Sequence, residues 1–394
     1  MDADGAVRWL LRWAPRVAQD DLPLLVKELA PGLGATSILV YLVDYSQTRL
    51  VPLLPGAGVR RAAKPIDGSV AGRAYSTGLV HQEGGRVGRV WVPLAHGGDR
   101  LGVLEVNTAG RPGPEVRAAS IAVAELVAQL LLTRQPQGDL IERVRRREPM
   151  QLAAEIVWGI LPPLSFTTDR VQVAGVLEPC LDIGGDAFDY ALNGDTLSVA
   201  IFDAVGHGNP ASLLATLAIG AYRNARRTGL GLVDAARSVD KHLQAYRAGV
   251  FVSAVLAELD CTTGALNLVV AGHPAPLLLR QNKLVKEFPG PSALPLGLEH
   301  MSPVAPRFIS EHMQPGDQVL FYTDGVIEAR TQDGEFFGLD RLVDFVTRAL
   351  ADRLPLPETM RRLVRAILAH QHDQLQDDAT AVLVQWRGPT AAAG

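Results

Sequence analysis

The sequence predicts an α+β protein with largely antiparallel sheets, built as two domains rather than one. Three observations carry that reading. The chain has 394 residues, more than one typical hydrophobic core accommodates. Short apolar, β-rich runs are joined by tight-turn signals such as "ALNGD" and "CTTGA", which suits antiparallel pairing. Helical patterns lie among those runs, and a composition of 47% hydrophobic and 20% charged residues is that of a globular protein.

Composition also excludes several classes of function. A net charge of -4 gives no reason to expect nucleic acid or an anionic membrane as partner. Cys180 and Cys261 are the only cysteines, so neither a disulfide framework nor a Cys-based zinc site is available. The opening "MDADG" lacks the apolar core of a signal peptide. The most apolar stretch, residues 121–133, is interrupted by Glu125 and is too short to span a bilayer. A cytoplasmic protein is expected.

Residues 1–135 begin with a helical pattern that ends near Pro31 and Gly32. "TSILVYLVDY" (36–45) alternates as a strand, and residues 89–107 read as a hairpin about Gly97 and Gly98. Between them "SVAGRAYSTGLV" is a short helix entered through Gly68 and left through Gly78, and residues 114–134 form a closing helix. This order resembles a GAF domain, a small sensory α+β module with one antiparallel sheet. The resemblance implies ligand sensing or dimerisation, with a structural connector as the plainer alternative. Both cysteines lie outside the segment, which excludes a thioether-linked bilin, and His81 is expected in a loop rather than on a haem.

Residues 136–163 read as a helical connector. Pro136 and Gly138 break the closing helix, and Pro149 suits the first turn of a fresh one that stops at Pro162 and Pro163. Leu152, Ile156 and Ile160 form an apolar stripe on that helix, able to pack on its own domain or pair with a second copy in a homodimer. Arg145, Arg146 and Arg147 are expected on a solvated face.

From 164 to 388 strands are expected at 171–178, 196–203, 250–259, 265–271, 276–280, 318–323 and 380–386, and helices near 210–227, 231–247, 339–350 and 358–372. Taking Asn193 and Gly194 as a two-residue hairpin loop sets Leu192 opposite Asp195 and Asp186 opposite Ile201. Asp203 is then the diagonal neighbour of Asp186 on one face, roughly 7–8 Å away. Asp324 follows another apolar strand, and Asp377 and Asp378 precede the last one. Any one of these could be a strand-end cap. Four acidic sites at strand ends suggest more, because clustered carboxylates repel unless they hold cations or share protons. Oxygen ligands without His or Cys clusters suit Mg²⁺ or Mn²⁺, and a pair of such ions serves phosphate-ester hydrolysis.

The motifs "IGGDAFDY", "FDAVGHGNPASLL", "VVAGHPAPLLLR", "LPLG", "FYTDGVIEAR", "GEFFGLDRL" and "DDAT" occur in the order of the SpoIIE-type branch of PPM serine/threonine phosphatases. Residues 150–388 resemble that family. The resemblance implies an α-β-β-α sandwich of two antiparallel sheets with two ions, Mn²⁺ or Mg²⁺, at one edge. It implies that Asp186 and Asp203 grip the ions, helped by the backbone carbonyl of Ala204. Asp324 and Asp377 would be ligands of one ion, Asp378 being the less favoured of the adjacent pair. These carboxylates would carry catalysis by direct attack of an activated water on phosphoserine or phosphothreonine, without a phosphoenzyme. The implied substrate is a phosphorylated STAS-type anti-sigma factor antagonist in a partner-switching circuit. His207 and His273 are expected to be structural. Leu181 stands where the family often has a basic residue, and Ala187 and Phe188 also depart from it, which puts phosphate contacts in question. Rival readings are a non-catalytic phosphoprotein-binding scaffold and a hydrolase of small phosphate esters.

Overall fold

The computed structural model describes residues 3–56, 61–84, 87–178, 184–302, 306–372 and 377–389. Cys180 and Leu181 lie outside the described residues. The chain divides into two compact units, Met1–Pro149 and Met150–Gly394.

In the first unit a six-stranded antiparallel sheet runs in the order Lys64–Pro65, Arg49–Pro52, Ser37–Val43, Asp99–Thr108, Gly88–His96, His81–Glu83. The expected hairpin about Gly97 and Gly98 joins two neighbouring strands of this sheet, both glycines taking positive φ. One face of the sheet, with Val40, Val92 and Leu104, packs on the helix Pro114–Arg134 through Val123, Val127 and Leu131. The other face, with Tyr41 and Trp91, packs on the helix Val70–Thr77, whose N-cap Ser69 accepts a hydrogen bond from Gly72 N. His81, expected in a loop, starts the edge strand beside Thr77. The closing helix is longer than the apolar run read from sequence: Pro114–Gln137 is long and apolar enough by composition to cross a membrane. In this fold that helix buries Val123, Val127 and Leu131 in the core of the unit.

The second unit has the expected α-β-β-α layering. One sheet has five strands in the order Ile309–His312, Ala265–Ala271, Val252–Asp260, Thr196–Ala204, Asp186–Asn193. The other has six, in the order Lys283–Glu287, Leu277–Arg280, Gln318–Tyr322, Ala379–Trp386, Val171–Glu178, Ser165–Thr167. Every pairing in both is antiparallel. Period-two alternation builds the layers. In Thr196–Ala204, Leu197, Val199 and Ile201 face the other sheet, meeting Phe321, Val382 and Val384. Ala200, Phe202 and Ala204 face the helices Gly208–Arg227 and Leu232–Tyr246. The helices Gly338–Ala351 and Leu356–His370 cover the second sheet. Asp186, Asp203 and Ser253 share the face of Phe188, Ile201 and Val255, which is the face between the sheets.

In the second unit three strands lie outside the expected set: Ser165–Thr167, Lys283–Glu287 and Ile309–His312. All are short and lie at sheet edges, where charged residues such as those of "KLVKE" are tolerated and the alternation is weak. The connector is segmented, as expected, but its last helix does not bury the face that the sequence suggests. The helix Leu140–Arg145 buries Ile141 in the first unit's core, whereas Leu152–Ile160 buries Ala154 and Val157 in the second's. Pro149 precedes the second of these helices, whose N-cap is Gln151. The stripe Leu152, Ile156 and Ile160 is not its buried face. Leu152 is 60% exposed, and the buried side chains are Ala153, Ala154 and Val157, because small residues let the helix approach Gly208–Arg227 closely.

Candidate metal centre

The hairpin that carries the first two carboxylates turns one residue later than the sequence suggests. Asn193 pairs with Thr196, and Gly194, at φ +58°, takes the first position of the two-residue loop. The register therefore shifts by two, and Asp186 lies directly opposite Asp203 rather than Ile201. Directly opposed residues have Cβ atoms about 4.5–5.5 Å apart, closer than the diagonal arrangement.

Asp186 is 2% exposed, and three neighbours fix it. Thr323 Oγ1 donates to its Oδ2 at 2.7 Å, while Thr380 N donates to Thr323 Oγ1 at 3.0 Å. Its own backbone N–H donates to Asp378 Oδ2 at 3.1 Å. Asp378 also accepts from Gly184 N, at 2.9 Å and 2.7 Å to its two oxygens. Asp378 is thus occupied in holding the Gly-Gly-Asp turn. Asp377 instead shares with Asp324 an open cleft of about 250 Å³, lined also by Gly325, Glu328, Ala329, Arg330 and Gln371.

Two glycines permit this assembly. A Cβ on Gly185 would lie 2.3 Å from the Ala204 carbonyl oxygen, and a Cβ on Gly325 would lie 1.8 Å from the Asp378 carbonyl oxygen. The glycines of the GGD and TDG motifs are therefore demanded by close backbone approach.

Electrostatics bind the five aspartates into one group. Burial, then the charges of Asp203 and Asp378, hold Asp186 well above the usual carboxylate range. Burial, then Asp324 and Asp377, pushes Asp203 up to about 6. Asp324 is raised by burial and by Asp377, and burial brings Asp378 to about 6 against the pull of its backbone N–H donors. Among the described residues no Lys or Arg is ion-paired with any of the five. Nor do three Asp, Glu, His or Cys side chains there already close around one point. The donor set, hard oxygens with strong mutual repulsion and no paired cation, fits divalent cations of the Mg²⁺ or Mn²⁺ type.

His207 caps the helix Gly208–Arg227 from an extended conformation, is exposed and makes no side-chain cap bond. His273 is buried, with Nδ1 2.7 Å from Ser253 Oγ and Nε2 3.1 Å from the Tyr322 carbonyl. Thr323 and Ser253 were not singled out from sequence. Thr323 had a signal, since it precedes Asp324 in the TDG motif; Ser253 had none, because its partner lies on another strand.

Comparison with known proteins agrees with this geometry. Residues 193–387 match the family model of Stage II sporulation protein E (SpoIIE). The phosphoserine phosphatase RsbU of Bacillus subtilis is 21% identical over 242 residues, which is 61% of this chain and 70% of RsbU. Protein IcfG of Synechocystis is 22% identical over 287 residues, 64% of this chain but only 43% of IcfG. The SiaA-PP2C domain of Pseudomonas aeruginosa superposes with a TM-score of 0.50 at 20% identity, covering 65% of this chain and 99% of that domain. With the two sheets, the GGD and TDG turns and the five aspartates in place, the chain carries a SpoIIE (PP2C-type) phosphatase domain, the one that the family model matches over residues 193–387.

Proposed function

We propose that this protein is a Mn²⁺- or Mg²⁺-dependent phosphatase that removes phosphate from phosphoserine or phosphothreonine on a protein. Its substrate would be a phosphorylated STAS-type anti-sigma factor antagonist. The observation that carries the reading is the gathering of Asp186, Asp203, Asp324 and Asp377 from both sheets at one edge, with no basic residue among the described ones paired to them.

Asp186 and Asp203, with the Ala204 carbonyl, would hold two ions, and Asp324 and Asp377 would complete the coordination of one. Ions so held acidify a water and offset charge on phosphoryl oxygens. The chain's own residues do the rest. Thr323 and Asp378 fix the Asp186 carboxylate and its backbone. Arg330, the basic residue lining the cleft, is steadied 4.4 Å above the Phe336 ring and can draw a phosphoryl group towards Asp324 and Asp377. That cation would serve in place of the basic residue that Leu181 replaces.

Residues 1–135 would act as a GAF-like sensory domain and 164–388 as the phosphatase domain, with control passing through 136–163 in a cytoplasmic protein that can pair with a second copy. RsbU, named a phosphoserine phosphatase, lends support to the substrate class. The deciding experiment gives full-length protein Mn²⁺ with a phosphorylated STAS protein or with nucleotides. Turnover of the phosphoprotein, abolished by EDTA, is expected. Faster hydrolysis of nucleotides than of any phosphoprotein would overturn the reading.

A further inference from the structure

Asp203, like Asp186, has a hydroxyl neighbour, and this one has two possible partners. Ser253 is its cross-strand partner on the side away from Asp186. The Ser253 hydroxyl donates to Asp203 Oδ2 at 3.3 Å, yet the same oxygen lies 2.7 Å from His273 Nδ1. His273 Nε2 is 3.1 Å from the Tyr322 carbonyl, which can only accept. The Nε2 hydrogen is therefore committed to Tyr322. Burial holds the imidazole far below its ordinary value, at about 3, so it is neutral and Nδ1 offers a lone pair. Ser253 has one hydrogen and two acceptors.

We infer that Ser253 and His273 are positioning residues for Asp203, and that turning the Ser253 hydroxyl from Asp203 to His273 releases Asp203 Oδ2 to a divalent cation. No bond to hydrogen breaks; the O–H only rotates. With Asp203 bare, the hydroxyl compensates its charge. With a cation on Oδ2, the hydrogen would point at a positive ion, and His273 Nδ1 gives it another acceptor. In the ion-bound state neither the hydroxyl hydrogen nor His273 Nδ1 is left unpaired, whereas in the bare state Nδ1 gives up its donor to Asp203; ion binding restores that buried bond instead of stranding the hydroxyl. The relay also ties the strand of Asp203 to the carbonyl of Tyr322, two residues before Asp324. The inference rests on the reading that Asp203 is an ion ligand.

The test is Mn²⁺ binding to the full-length protein by calorimetry, with unbound Mn²⁺ counted by electron paramagnetic resonance and melting temperature recorded for each variant. His273→Leu removes the alternative acceptor and should weaken Mn²⁺ about 10-fold, the usual size of such outer-sphere losses. Ser253→Ala removes the hydrogen itself and should bind Mn²⁺ within about threefold of wild type. The double variant should recover most of the affinity lost by His273→Leu, and His273→Asn, which restores an acceptor near Nδ1, should resemble wild type. Additive losses in the double variant would reduce the pair to a structural strap and overturn the inference. Should His273→Leu fail to fold, Ser253→Ala decides alone: a tenfold loss there contradicts the relay. Asp203→Asn separates the two readings. If it binds Mn²⁺ as wild type does, the ion assignment is wrong, whatever the relay variants show.

Discussion

Asp186 and Asp203 are direct cross-strand partners, two carboxylates placed face to face at the edge of a sandwich with no Lys or Arg among the described residues paired to either. Without ions this pair costs stability; with ions bound as proposed it would be the grip. Asp203→Asn and Asp324→Asn should each lower the Mn²⁺-supported rate at least 100-fold, about 3 kcal/mol of transition-state stabilisation. The check is kcat at saturating Mn²⁺, and wild-type turnover in either variant would sink the assignment.

The adjacent aspartates should part company. Asp377 opens to the cleft, whereas Asp378 holds the backbone of Gly184 and Asp186. Asp377→Asn is expected to weaken Mn²⁺ binding while leaving the melting temperature within a few degrees. Asp378→Ala removes an acceptor from buried N–H groups and should destabilise the unit by about 1–3 kcal/mol. Urea titration and calorimetry together read both, and the reverse pattern would make Asp378 the ligand.

Stability in EDTA should depend on pH with a definite sign. Asp203 and Asp378 are raised to about 6, and Asp186 is raised as well, against an ordinary value near 4. The folded protein therefore holds more protons than the unfolded chain between about pH 4 and 6, and this contribution is lost as pH rises through 6. His273, lowered to about 3, works the other way: its contribution is lost as pH falls below 6.5. Comparing wild type with Asp203→Asn cancels the histidine. The variant should melt higher than wild type in EDTA at pH 8, with the gap narrowing towards pH 5. A gap that widens as pH falls would contradict the raised carboxylates.

Arg330 lines the cleft, and among the described residues its ion-pair partner is Glu328 at 3.9 Å rather than an aspartate of the cluster. Arg330→Ala should raise KM for a phosphoprotein about tenfold and leave Mn²⁺ affinity unchanged, since a charge-assisted contact is worth roughly 1.5–3 kcal/mol. An unaltered KM would remove it from substrate binding.

The helix Leu152–Ile160 allows a graded test of control through the connector. Val157 is fully buried in the second unit's core, whereas Ile156 is only partly covered. Val157→Asp should cost at least about 3 kcal/mol by burying an unpaired carboxylate. Ile156→Asp should leave stability nearly intact and change basal activity or mass per chain in sedimentation. Ile156→Asp protein with wild-type mass and turnover would place regulation elsewhere.

Much of this was legible in the sequence, for physical reasons. Apolar runs such as 196–203 and 380–386 announce strands because both faces are buried, by the other sheet and by helices. The aspartates at their ends stand out against those runs. What periodicity could not give was register. Asn193-Gly194 and Gly194-Asp195 are both acceptable two-residue loops, and the choice between them moved Asp186 by two places. The role of Asp378 was equally hidden, since its partners are backbone N–H groups far away in sequence. The connector stripe Leu152, Ile156 and Ile160 follows from spacing alone, and spacing does not say which face a helix buries. Alanines, not the larger aliphatics, form the tight contact of that helix.

The bond from Asp186 N to Asp378 joins residues 192 positions apart. At a synthesis rate of roughly 5–20 residues per second, Asp186 leaves the ribosome on the order of 10–40 s before its partner exists. Nascent chains that already carry the GGD hairpin cannot yet possess the rest of the ion site. A site of the proposed kind would therefore stay incomplete, and without hydrolytic activity, until the strand Ala379–Trp386 that follows Asp377 and Asp378 is being made.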